Sequence, residues 1–193
     1  ELYSTDEYKL SVKRLIDSHF DLIGKFPARS FSRQDEKSII AQGELMSTAM
    51  FHNLLLENNI GSVLLPALSF MRIDKDGEPD SFYISENFNR ELKNHSEAQI
   101  IITQGFICRN AYGEIDNLKR GGSDFTASLI GAAINASEIQ IWTDINGFHN
   151  NDPRFVENTS VIREISFDEA AELAYFGAKI LHPSSVNPAR EKN

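Results

Sequence analysis

One run constrains the fold of this chain more than any other: Ala98-Gln-Ile-Ile-Ile-Thr-Gln-Gly-Phe-Ile107. It is β-branched and apolar on both faces, and a strand of that kind is usually covered on both sides, as in parallel α/β sheets. Ser62-Val-Leu-Leu-Pro66 and Glu138-Ile-Gln-Ile-Trp142 read as further strands. Helical spacing surrounds them. Val12, Leu15, Ile16, Phe20 and Ile23 predict a first helix closed by Gly24 and Pro27. Met46, Ala49, Met50 and Leu54 predict a second helix, with Gly43 and Glu44 near its beginning and a turn over Glu57–Gly61. Asp74–Asp80 is a loop, Glu86–Lys93 a short helix, and Ala111–Asp116 a turn or small hairpin. Lys119-Arg-Gly-Gly-Ser-Asp124 precedes a helix from Phe125 to Ile134. Ser166-Phe-Asp-Glu169 has the capping-box spacing and opens a helix through Tyr175, with Gly177 as its stop. Strand, glycine loop, helix, strand, polar loop, helix is the order of a doubly wound α/β domain. No linker divides the 193 residues, so one domain is expected.

Charge and cysteine usage exclude several classes of function. Lys and Arg number 19 against 28 for Asp and Glu, a net charge of −9. That balance argues against a nucleic-acid or anionic-membrane surface, both of which want a basic field. Cys108 stands alone, which excludes a disulfide framework and a thiolate cluster and fits a reducing, cytoplasmic setting. No apolar run approaches the roughly 20 residues of a membrane span. The five histidines (His19, His52, His95, His149, His182) show no zinc-ligand spacing. G-x-S-x-G, G-x-x-x-x-G-K-[ST] and G-x-G-x-x-G are all missing, and Cys108 has no histidine near it in sequence.

Two polar segments carry the candidate chemistry. In Arg120-Gly-Gly-Ser-Asp124, adjacent glycines let the backbone approach a ligand, and Ser123 can cap the following helix. Helix N-terminal amides beside a planar cation suit a carboxylate or phosphate. A tight turn with a solvated Lys119–Arg120 pair explains the same residues. The second segment is Thr143–Arg154, leaving the carboxyl end of a strand, where α/β folds place ligands. Thr143 and Asp144 offer a hydroxyl and a carboxylate for a ribose or base edge, and Arg154 a cation for phosphate; ordinary turn chemistry is the competing explanation. Taken alone, Lys179 reads as a surface lysine and Glu44 as a carboxylate placed by the helix dipole. Trp142 and Phe125 read as core.

Five blocks in order say more than any of these singly: Gly-Glu-Leu-Met-Ser (43–47), Ile-Thr-Gln-Gly-Phe (102–106), Arg-Gly-Gly-Ser-Asp-Phe-Thr-Ala (120–127), Ile141–Arg154, and Asp168–Pro183. They resemble aspartokinase, of the amino-acid kinase superfamily, from Gly43 to the C-terminus. The resemblance implies a three-layer, doubly wound, mostly parallel α/β sheet of the carbamate kinase-like type. It implies ATP-dependent phosphorylation of the β-carboxylate of L-aspartate, the first step toward lysine, threonine and methionine. Glu44 matches the carboxylate that holds the substrate's α-ammonium group; Arg120 and Ser123 match groups on its α-carboxylate, with the Gly121 and Gly122 amides beside them. Asp124 matches the acidic residue that orients cationic groups around the transferring phosphoryl, and Lys179 the lysine that reaches the nucleotide's phosphates. Thr143, Asp144 and Arg154 match nucleotide-binding positions, and His149 stands where relatives often carry tyrosine. ATP is then a substrate, Mg²⁺ rides on its phosphates, and no protein metal site, nucleic acid or membrane is involved. The resemblance also implies a homodimer of the full-length chain.

Chemistry agrees with that assignment. A carboxylate with a pKa near about 4 is already ionised, so no general base is needed. Positioning and positive charge are needed, because two anions must meet in line.

The chain departs from the family pattern in two places. Lys119 stands where relatives commonly have glycine, and the Lys-Phe-Gly-Gly-Thr loop with which relatives open is not among these residues. The expectation is a partial catalytic domain over residues 1–193, without that segment or the ACT regulatory pair and with little activity alone. A related amino-acid kinase acting on another carboxylate, or a silent nucleotide- or amino-acid-binding module of the same fold, are the competing readings.

Overall fold

A computed structural model describes residues 2–26, 30–144, 146–151, 155–175 and 183–192. The chain forms two compact units, residues 1–118 and 119–193.

In the first unit, α1 (Asp6–Ile23) and α2 (Arg33–Glu57) lie antiparallel. Glu57 at the end of α2 accepts the amides of Ser4 and Thr5 (2.8 and 2.7 Å), while His19 meets Gln42 at 2.7 Å between Nδ1 and Oε1. Ser32 begins α2 through a reciprocal capping box with Asp35, which satisfies otherwise orphan amides. Glu44 therefore sits in the middle of a long helix and not near its beginning. The helix dipole acts only within the terminal turns and cannot account for this carboxylate.

The apolar run at 98–107 is not one strand. It splits into β2 (Ile100–Ile102) and β3 (Ile107–Arg109), because Phe106 takes a left-handed φ of 70° that no ladder accommodates. β2 pairs in parallel with β1 (Ser62–Leu64), Val63 opposite Ile101. β3 turns through residues 110–114 into β4 (Ile115–Asn117), antiparallel, with Cys108 opposite Asp116. Coverage is one-sided at the start of β2, where Ile100 is exposed. α3 (Ser81–Asn94) starts earlier than predicted, because the Asp80 side chain accepts the Tyr83 amide and caps it. The core of this unit is Phe70, Met71, Ile84, Phe88, Ile107 and Cys108, with the Phe70 and Phe88 rings tilted at 53° and 4.7 Å apart.

The second unit is built around α4 (Gly122–Ala133), against which α6 (Pro183–Arg190) packs; the Ser128 hydroxyl donates to the carbonyl of Ser185. α5 (Phe167–Tyr175) opens on the predicted capping box, with Ser166 and Glu169 bonded reciprocally. The strand expected at 138–142 joins no ladder among the described residues. Its alternation survives: Ile139 and Ile141 face inward, while Trp142 points out, 87% exposed, its indole N–H on Gln140 at 3.0 Å. Trp142 is thus no core residue, and Phe125 is half-buried. Gly177 lies outside the described residues.

Candidate active site

The turn before α4 has a defined shape. Lys119 and Gly121 both take left-handed φ values, 61° and 71°. A β-carbon is disfavoured at such a φ, so Gly121 is the residue suited to the N-cap. The Gly122 amide donates back to the Lys119 carbonyl at 3.2 Å, and that of Phe125 to Gly121 at 2.9 Å. The amides of Ser123 and Asp124, at the positive end of the helix dipole, find no acceptor among the described residues. Ser123 does not cap the helix. It stands inside the first turn, exposed, because the backbone turn at Gly121 already occupies the cap position. Arg120 is exposed and unpartnered among the described residues. Asp124 is half-buried, and burial raises its carboxyl above the ordinary value.

Asp124 borders a cavity of about 490 Å³ that continues past Ser128 and Gly131 to Ile139, Ile141 and Phe148. Gly131 makes the close approach possible: a β-carbon there would stand 2.5 Å from Ile139 Cγ1. The cavity thus joins the start of α4 to the segment that leads into Thr143 and Asp144. Both of those are exposed, with the Thr143 hydroxyl 3.2 Å from Asp144 Oδ1. His149 is held from both sides, Nδ1 at 2.9 Å from Thr159 Oγ1 and Nε2 at 2.7 Å from Asn146 Oδ1. Within this unit, Arg120, Gly121, Gly122, Ser123 and Asp124 are brought into one turn. Arg154 and Lys179 lie outside the described residues.

Glu44 belongs to the first unit. Its carboxylate is half-buried and has no partner among the described residues. Behind it lies a polar tie that sequence reading missed. Gln104, 2% exposed, accepts the Ala67 amide (2.8 Å) and donates to Thr48 Oγ1 (2.7 Å). Thr48 in turn donates to the Glu44 carbonyl at 2.8 Å. A glutamine inside an otherwise apolar strand run, and a threonine one helical turn past Glu44, were the available signals. The neighbouring Thr103 hydroxyl is buried without a partner among the described residues.

Known proteins resemble this chain in sequence and fold. The amino acid kinase family matches residues 3–193. Lysine-sensitive aspartokinase 3 of Escherichia coli K12 is 38% identical over 181 residues, 92% of this chain and 40% of that protein. Chloroplastic aspartokinase 1 of Arabidopsis thaliana is 35% identical over 160 residues, 79% of this chain and 28% of that one. The crystal structure of E. coli aspartokinase III with aspartate and ADP superposes with a TM-score of 0.84 at 36% identity, covering 96% of this chain and 42% of the other. The chain thus spans about two fifths of the length of the E. coli relative it matches. With a glycine turn opening α4, a parallel β1–β2 pair and a match over nearly its whole length, the chain belongs to the amino acid kinase family.

Proposed function

We propose that these residues form part of the catalytic domain of an aspartokinase, transferring the γ-phosphoryl of ATP to the β-carboxylate of L-aspartate. The observation that carries this reading is the 119–124 turn. The Ser123 and Asp124 amides lack a protein acceptor among the described residues and Arg120 adjoins them in sequence, a set of donors that fits a carboxylate or phosphate. A ligand of that charge also completes the positive end of α4.

In this reading Arg120 and Ser123 hold the α-carboxylate of aspartate and Glu44 its ammonium group. The amides of Ser123 and Asp124 face the anionic reacting groups, and Gly121 and Gly122 give the turn that presents them. Asp124, which lines the cavity, orients the cations around the phosphoryl. Thr143, Asp144, His149 and Arg154 bind the nucleotide, and Lys179 reaches its phosphates. Mg²⁺ carried by ATP supplies further charge neutralisation. The acceptor carboxylate is ionised at neutral pH, so positioning and electrostatics carry the catalysis. The protein works on small molecules, as a homodimer in the cytoplasm. No described helix is long and apolar enough to cross a membrane.

The test is coupled ADP release with ATP and Mg²⁺, run on the native protein that carries these residues. L-Aspartate should support turnover, and L-glutamate and N-acetyl-L-glutamate should not. Arg120→Lys should raise the KM for aspartate by on the order of 10- to 100-fold, because an ammonium cannot copy a two-pronged guanidinium contact. Equal turnover on all three acids, or an unmoved aspartate KM, overturns the reading.

A further inference from the structure

We infer that Gln104 and Thr48 are positioning residues for Glu44, fixing the turn of α2 that presents its carboxylate to the substrate's ammonium group. The inference rests on the role given to Glu44 above and concerns what holds that group in place.

The tie has a direction that the chemistry enforces. Ala67 is fully buried and opens the 3₁₀ turn Ala67–Ser69, so its amide needs an acceptor. An amide nitrogen only donates, which fixes the Gln104 carbonyl oxygen toward Ala67 and its NH₂ toward Thr48. Thr48 Oγ1, having accepted that bond, gives its own proton to the Glu44 carbonyl. Each group thus completes the next, with the Gln104 carboxamide accepting through its oxygen and donating through its nitrogen at the buried centre.

The anchor points are placed where ligands bind in this class of fold. Gln104 lies just past the carboxyl end of β2 and Ala67 just past that of β1, whose ladder closes with the Leu65 amide on Ile102 at 2.8 Å. The relay therefore clamps the middle of α2 to the ligand-facing ends of two parallel strands. A helix held only by apolar contacts can rotate or slide by fractions of a turn. A hydrogen-bonded clamp ending on the backbone of Glu44 itself resists that.

Thr48→Val and Thr48→Ser test the idea, with Glu44→Gln alongside. Valine keeps the volume and removes the hydroxyl; serine keeps the hydroxyl. Thr48→Val should raise the KM for L-aspartate by on the order of tenfold, leave the KM for ATP within about twofold, and be rescued by Thr48→Ser. Gln104→Leu should reproduce the valine effect, and a circular-dichroism melt shows that each variant is folded at the assay temperature. An unchanged aspartate KM in folded Thr48→Val, or equal rises in both KM values, overturns the inference. Loss of folding in Thr48→Val also overturns it, by making the tie a stability element. If Glu44→Gln alone moves the aspartate KM, the role of Glu44 stands and only the positioning fails. If Glu44→Gln moves nothing, the role assigned to Glu44 fails with it.

Discussion

Lys37 Nζ lies 2.5 Å from Asp116 Oδ2, joining α2 to β4 where both side chains are largely withdrawn from water. Asp116 is also paired across the hairpin with Cys108, whose thiol is pushed up to about 12, by burial first and by the Asp116 carboxylate second. Lys37→Met removes the counter-charge and leaves a mostly buried carboxylate behind. The expected cost is about 1.5–3 kcal/mol in urea unfolding, part of which Lys37→Met/Asp116→Asn recovers. Iodoacetamide at pH 8 should modify Cys108 only as fast as the protein opens. An unshifted urea midpoint in Lys37→Met would contradict this account of the pair.

The contact of α4 with the Ile139 segment beside it makes a steric prediction. A β-carbon on Gly131 would overlap Ile139 Cδ1 and stand 2.5 Å from Cγ1. Gly131→Ala should therefore destabilise by about 1–3 kcal/mol although alanine is the better helix former. Ile139→Ala should restore stability in that background, a coupling that a double-mutant cycle measures. Additive losses would show that the two residues do not press on each other.

Asp124 sets stability against activity. Burial raises its carboxyl pKa, so folding favours the protonated form, and its contribution to stability falls as pH rises from the ordinary carboxylate range through the folded value. At neutral pH the ionised group is a cost. Asp124→Asn should leave the thermal midpoint at pH 7 unchanged or higher, with turnover down by about 10²-fold or more. A lowered midpoint at pH 7 with activity intact would reverse the assignment.

Glu57 behaves oppositely. The Thr5 amide, aided by the Thr5 hydroxyl and the Ser4 amide, holds its carboxyl below the ordinary value. A depressed folded pKa means stability that is present above roughly 4.3 and lost as pH falls through the folded value. The thermal midpoint of the parent should exceed that of Glu57→Gln at pH 6, and the gap should narrow as the pH falls below the ordinary carboxylate range. A gap that stays constant over that range would mean that the carboxylate charge is not what ties the start of α1 to α2.

Much of this was legible before the structure, and the failures have physical causes. Ser166–Glu169 and the glycine turn at 120–124 are local devices, set by side-chain reach and backbone sterics, so short spacing reveals them. Ser32–Asp35 is the same kind of device. Read as a cap, it would have put Glu44 in mid-helix. The 98–107 run misled because its composition is uniformly strand-like, while the break depends on one left-handed residue, Phe106, that no apolar pattern announces. Ile139–Trp142 has strand alternation, but a ladder needs a neighbour that alternation cannot supply. The Gln104–Thr48–Glu44 tie joins residues far apart in sequence, and only the packing of α2 on β1, to which β2 is paired, brings them within hydrogen-bond reach.

The central claim is that a carboxylate accepts the phosphoryl group, and trapping the product tests it most directly. An acyl phosphate reacts with hydroxylamine to give a hydroxamate, whereas a phosphate ester or free phosphate does not. With ATP, Mg²⁺ and L-aspartate, the native protein carrying these residues should form aspartyl β-hydroxamate in step with ADP release, and Arg120→Lys should slow both together. ADP released without hydroxamate, or hydroxamate formed equally well from L-glutamate, would contradict the account.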